Sequence, residues 1–174
     1  AAGAVILGTL ALCDGAYGPY FPGLQVPVTP WDATRWSGVS SSGSGVATAA
    51  GLCFASVGTD TGGSIRYPSA ANGCVGLKPT YGRVSRYGVF ALAASMDHIG
   101  PMTRTVEDAA IMFEAMAGLD PHDHSSLPDP VPSVRAELDQ GIAGLRVGFD
   151  RHYATDNVDP DVAKAMADVL AELT

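Results

Sequence analysis

Two stretches of this chain concentrate glycine and serine: Ser37-Gly38-Val39-Ser40-Ser41-Ser42-Gly43-Ser44-Gly45 and Gly58-Thr59-Asp60-Thr61-Gly62-Gly63-Ser64. Consecutive glycines let backbone N–H groups converge on one point with no Cβ in the way. Such a cradle suits the oxyanion of an acyl-transfer intermediate. A serine directly after the glycines, as Ser64 is, has its hydroxyl where it could attack the same carbonyl. Taken singly, each stretch reads equally well as a flexible linker or a pair of turns.

Competing signatures fail on position. A phosphate-binding loop needs lysine directly after its last glycine, and Gly76-Leu77-Lys78 does not supply it. Gly43-x-Gly45 lacks the third glycine of a dinucleotide fingerprint, and Arg66 stands where a nucleophile elbow around Ser64 would need glycine. Asp97-His98 has the makings of a base but reads better as a structural loop. His122-Asp123-His124 lacks a third ligand at helical or strand spacing, so no metal is expected, and no cofactor either. Trp31 and Trp36 flank the entry to the serine run, where lining a substrate pocket and packing over the core are equally open.

The elements that must position these residues alternate. Ala4 to Leu7 predicts a short buried strand, Ser40 to Gly51 a capped helix, and Phe54 to Val57 a second strand broken by the glycines from Gly58. Thr105 and Asp108 form a capping box for a helix to Ala117, with Gly118 as its stop. Pro121 to Pro132 reads as a linker-like loop and Leu145 to Phe149 as a strand. Asp159 and Pro160 cap and open a last amphipathic helix. Strands alternating with helices predict an α/β layered fold.

The formal charge of −8 is uneven. From Thr61 to Thr105 five basic residues (Arg66, Lys78, Arg83, Arg86, Arg104) face one acid, Asp97. Basic residues massed with exposed aromatics are missing, so no nucleic-acid partner is expected. Cys13, Cys53 and Cys74 stand singly, which fits free thiols in a reducing cytoplasm. No apolar run approaches the ~20 residues of a membrane span, and no membrane partner is expected. The sequence leaves a homo-oligomer open. It opens without methionine, directly before an apolar run, and stops in a helical pattern, which reads as a piece of a longer chain.

Together these residues resemble the amidase signature family. The run Gly58 to Ala70 (GTDTGGSIRYPSA) is similar to its central motif, and Gly76 to Gly88 (GLKPTYGRVSRYG) and Asp97 to Ala110 (DHIGPMTRTVEDAA) continue the likeness. The match is strongest over residues 1–118, and all 174 read as part of one amidase domain truncated at both ends. The resemblance implies a mixed central β-sheet covered by helices on both sides. It also implies a Ser–cis-Ser–Lys mechanism. Ser64 matches the nucleophile, and Ser40 the bridging serine beside a cis peptide. Thr61, Gly62, Gly63 and Ser64 match the backbone donors of the oxyanion hole, and Ser41, Asp60 and Arg66 brace the site.

Two departures stand out. Val39 replaces the family's usual glycine before the bridging serine. The family's lysine lies upstream of that serine, yet the only lysines here are Lys78, in a structural-looking Gly-Leu-Lys-Pro, and Lys164, on an acidic helix face. The expectation is that it precedes Ala1, leaving this piece inactive alone. The implied activity is hydrolysis of a small-molecule carboxamide to a carboxylate and ammonia or amine. The alternatives are the glutaminase subunit of a tRNA-dependent amidotransferase and a non-catalytic scaffold.

Overall fold

The serine run does start a helix, which begins two residues inside the predicted segment: α1 spans Ser42–Ala49. In the computed structural model, which describes residues 2–173, there follow β1 (Ala55–Asp60), α2 (Arg66–Asn72), β2 (Val75–Gly76), β3 (His98–Thr103), α3 (Val106–Met116) and α4 (Val134–Glu137). These belong to a unit ending at Asp139; a second unit begins at Gln140 and carries α5 (Arg151–Thr155) and α6 (Pro160–Glu172). Helices with a small antiparallel sheet make this an α/β fold.

The sheet has the order β1-β3-β2, with both pairings antiparallel. Strand β1 does not stop before Gly58: Gly58 lies opposite Gly100, and Asp60 opposite His98. The glycine break predicted there is overridden because β3 satisfies the ladder on that side. Strand β3 has no counterpart in the sequence reading, since Gly100-Pro101 resembles a turn. Proline fits because β2 has ended at Gly76 on the side its missing N–H would face. The Pro101 carbonyl still accepts from the Leu77 amide at 3.1 Å.

Helix α2 tolerates Pro68 because a first-turn residue has no intrahelical N–H bond to lose. Helix α3 begins as its capping pair predicts, with the Thr105 side chain accepting from the Asp108 amide at 3.0 Å. Its inner face meets the sheet in a core of Val84, Ile99 and Phe113, supported by Leu77, Met116 and Val131.

Neither Ala4–Leu7 nor Leu145–Phe149 forms a strand, and Val5, Ile6 and Leu7 are exposed. An apolar run becomes a strand only where a neighbouring edge pairs with it, and none does so here among the described residues. The predicted linker at 121–132 is instead laced to the segment before β3: Leu127 donates to the Gly82 carbonyl at 2.9 Å, and Arg86 Nη2 to Ser125 Oγ at 2.7 Å. In the second unit, Asp159 caps α6 by accepting from the Asp161 amide at 2.9 Å, as predicted.

Candidate active site

The two Gly/Ser stretches come together. The Ser41 amide donates to the Ser64 carbonyl at 3.4 Å, and the Ser41 hydroxyl exchanges hydrogen bonds with the Thr59 backbone at 3.3 and 3.4 Å. Ser44 Oγ reaches the Val57 carbonyl at 3.0 Å. The serine run is thereby sewn along β1, the strand that leads into Ser64. Ser40 is buried and Ser64 half-buried, and the Val39–Ser40 peptide bond is cis. Among the described residues no hydrogen bond joins the Ser40 and Ser64 side chains.

Two glycines are obligatory here. Gly38 has φ +91° and lies so close to α2 that a Cβ would sit 2.3 Å from the Pro68 Cα. Gly63 has φ +142°, and its Cβ would fall 2.2 Å from the Tyr67 ring. The Tyr67 amide in turn donates to the Gly63 carbonyl at 2.7 Å. Among the described residues the amides of Gly62, Gly63 and Ser64 donate to no protein acceptor, so this turn offers a run of unspent donors. Unspent N–H groups beside a serine hydroxyl are the groups an oxyanion would use.

Beneath the turn lies Asp60, fully buried at the end of β1. One oxygen accepts from Arg66 Nε at 3.0 Å and from the amides of Ile65 and Arg66 at 3.2 and 3.3 Å. The other accepts from Arg66 Nη2 at 3.0 Å and lies 3.1 Å from Lys78 Nζ. Burial alone would raise this carboxyl's pKa. The hydrogen bonds from Arg66, Lys78 and the two amides outweigh it and hold the group well below the usual carboxylate range. Asp60 therefore stays ionised and fixes the start of α2, and with it the turn that carries Ser64.

Lys78, in the Gly-Leu-Lys-Pro run, lies beneath the same turn. Its ammonium is spent on Asp60 and on the Thr61 carbonyl, 3.3 Å away. The buried Asp97 carboxylate accepts from Thr61 Oγ1 at 2.5 Å and from the amides of Leu92 and Ala93. Burial pushes its pKa up, while the Thr61 hydroxyl and those amides hold it below the ordinary value. Sequence reasoning does not assign this contact, although a signal is present: Asp97 is the only acid between Thr61 and Thr105.

A cavity of about 680 Å³ adjoins Thr59 and Thr61 and is walled by Tyr81, Leu92, His98 and Ile99 among others. The Arg86 guanidinium at its edge donates to Tyr81, Ala94 and Ser125 and lies 3.9 Å from Asp123. His98 turns its Nδ1 to the Met96 carbonyl at 2.6 Å and stacks edge-on to Tyr81. His122 pairs with Asp120 at 3.0 Å. Among the described residues no three His, Cys, Asp or Glu side chains gather as metal ligands. Trp31 donates to the Asn72 carbonyl at 2.7 Å, and Trp36 lies against Tyr67.

Comparison with known proteins places the chain: it belongs to the amidase family, whose model matches residues 1–174. A Mycobacterium tuberculosis protein (strain ATCC 25618 / H37Rv) named "Putative amidase AmiD" is 55% identical over 99% of this chain and 36% of its own length. A glutamyl-tRNA(Gln) amidotransferase subunit of Geobacter sp. (strain M21) is 48% identical over 97% of this chain and 35% of its own. The peptide amidase PAM, solved with the competitive inhibitor chymostatin, superposes with a TM-score of 0.71 at 38% identity. It does so over 79% of this chain and 30% of its own. The chain thus spans about a third of the length of the curated relatives it matches.

Proposed function

We propose that the protein hydrolyses a carboxamide C–N bond to a carboxylate and ammonia or amine, through an acyl-enzyme on Ser64. The observation that carries the reading is the turn Gly62-Gly63-Ser64, whose amides have no protein acceptor among the described residues and whose serine adjoins the buried serine run. Ser64 Oγ attacks the carboxamide carbon, and the developing oxyanion is received by backbone amides of Thr61 to Ser64. The Ser64 proton passes to Ser40, whose hydroxyl can accept and donate in one step. From Ser40 it passes to a base, and it returns to the nitrogen as the C–N bond breaks. Water, deprotonated along the same path, then releases the acid.

The base is a lysine from outside residues 1–174. Lys78 is held by a buried carboxylate and by a carbonyl, and Lys164 is paired with Asp168. Free Cys13, Cys53 and Cys74 fit a reducing compartment, which we take to be the cytoplasm.

A second reading follows from the relatives named as amidotransferase subunits: ammonia freed from glutamine for a partner protein. Both readings share the Ser64 chemistry and differ in the amide consumed. The test is labelling of the full-length protein by a fluorophosphonate. Ser64 is expected to carry the adduct, and labelling that persists in Ser64→Ala would refute the assignment. Ammonia release from glutamine, measured beside release from a simple aliphatic amide, separates the two.

A further inference from the structure

Among the donors of the acyl-transfer reading, the Gly62 N–H is aimed by the residue before it. Thr61 is gripped from two sides. Its hydroxyl donates to Asp97 at 2.5 Å, and its carbonyl accepts from Lys78 Nζ at 3.3 Å. That carbonyl and the Gly62 N–H belong to one planar trans unit, in which they point in opposite directions. Whatever fixes the Thr61 carbonyl therefore fixes the direction of the Gly62 N–H, one of the amides without a protein acceptor among the described residues.

Each grip is anchored. Lys78 is held 3.1 Å from the buried Asp60. Asp97 is fastened by the Leu92 amide at 2.9 Å and by the Ala93 amide at 3.0 and 3.1 Å. Those two residues lie in an irregular segment, 88–95, that walls the cavity beside Thr61. The Ala93 carbonyl returns the contact by accepting from the Asp97 amide at 2.9 Å.

We propose that Asp97 and Lys78 are positioning residues that clamp Thr61 and so aim the Gly62 N–H at the oxyanion, with the Asp97 arm also tying the cavity wall to the site. The inference rests on the acyl-transfer reading. Asp97 is the arm that can be tested cleanly, because removing Lys78 would also disturb Asp60. Among the described residues the Thr61 hydroxyl is the one side-chain donor to Asp97, so valine there deletes the bond while keeping the shape.

The experiment is the second-order rate of Ser64 labelling by an alkyl fluorophosphonate, per folded molecule, in the full-length protein, with melting temperature as control. Thr61→Val is expected to slow labelling about 10- to 100-fold, less than outright loss of an oxyanion donor. Thr61→Ser, which keeps the hydroxyl, should return it to within about threefold of wild type. Asp97→Asn turns an amide group toward the Leu92 and Ala93 donors and should also slow labelling. The double variant Thr61→Val with Asp97→Asn should be no slower than the slower single one.

Wild-type rates in both single variants, or a double effect equal to the product of the two, overturns the proposal while leaving the acyl-transfer reading intact. Equal loss in Thr61→Ser and Thr61→Val also overturns it, because then shape and not the hydroxyl matters. If Thr61→Val fails to fold, Asp97→Asn and Thr61→Ser decide. A wild type that is not labelled at Ser64 removes the acyl-transfer reading, and the proposal with it.

Discussion

The segment from Ser37 to Met116 and the segment from Gln140 to Leu173 use hydrophobic pattern in opposite ways. Helix α1 is rich in serine and glycine, yet six of its eight residues are buried. Helix α6 has the cleaner amphipathic stripe, yet none of its residues is buried. In the first segment burial is justified by polar contacts: Ser44 with Val57, Thr48 with Ser56, Asn72 with Ser37, Asp60 with Arg66. Most of the buried hydroxyls, amides and carboxylates in this region have their bonds made, Ser69 Oγ and Asn72 Oδ1 being exceptions among the described residues, so a substitution that strands one of these partners is costly. In the second, exposure leaves side chains little to lose.

The largest expected contrast comes from one substitution made in both regions. Gly38→Ala forces a Cβ to 2.3 Å from Pro68 backbone at φ +91°, and backbone cannot step aside as a side chain can. A loss of more than about 4 kcal/mol, or no soluble protein, is expected in urea titration. Gly148→Ala meets nothing within 4 Å and has no unusual φ, so it should be neutral or stabilising by about 0.5 kcal/mol. Similar outcomes at the two sites would erase the distinction between the regions.

Charge gives the next contrast. Asp60→Asn leaves Lys78 and Arg66 facing a neutral amide under the Gly62-Gly63-Ser64 turn, and removal of one member of a buried ion pair costs about 3–5 kcal/mol. Because the Arg66 side chain is half exposed, about 2–3 kcal/mol is expected here. Asp168→Asn breaks only the exposed pair with Lys164, so its denaturation midpoint should stay at the wild-type value.

Acid sharpens the contrast further. The Asp123 side chain is largely buried, which raises its pKa, but bonds from Ser125 and the Arg86 amide bring it down to about 2. A carboxylate depressed in the folded state stabilises fully above its unfolded pKa, 3.8, and loses that contribution as pH falls through the folded one. Stability should therefore decline between about pH 4 and 2, by on the order of 1–2 kcal/mol from this group. Asp60, depressed further, should give way after it. Asp123→Asn should flatten the decline in that window, and an unchanged acid limb would show the network to be inert.

Legibility in the sequence follows the range of the interaction. Helix ends governed by neighbours one to three residues away are readable at Thr105 with Asp108 and at Asp159 with Pro160. Strands are not, because pairing joins distant residues: Ala4 to Leu7 has strand composition and no partner among the described residues, while His98 to Thr103 contains Gly100-Pro101 and lies at the centre of the sheet. The glycine turn before Ser64 is legible from composition, whereas the bond between Asp60 and Arg66, six positions apart across that turn, is not. The grip of Asp97 on Thr61 spans 36 positions and becomes visible only once β1 and β3 lie side by side.

The smallest expected effect tests whether the contrast belongs to the helices or to what they pack on. Thr105 and Asp159 perform the same capping task for α3 and α6, each accepting one backbone amide. Replacement of either by alanine removes a cap worth about 1 kcal/mol to its own helix. Helix α3 buries Ala109, Ala110 and Phe113, so unfolding its first turn exposes core, and Thr105→Ala should shift global unfolding by about that amount. No described residue of helix α6 is fully buried, so Asp159→Ala should let its first turn fray while the global midpoint stays in place. Amide exchange at residues 161–163 against residues 107–109 reads the difference directly. A shift of the global midpoint from Asp159→Ala would mean that α6 contributes more to stability than its exposure implies.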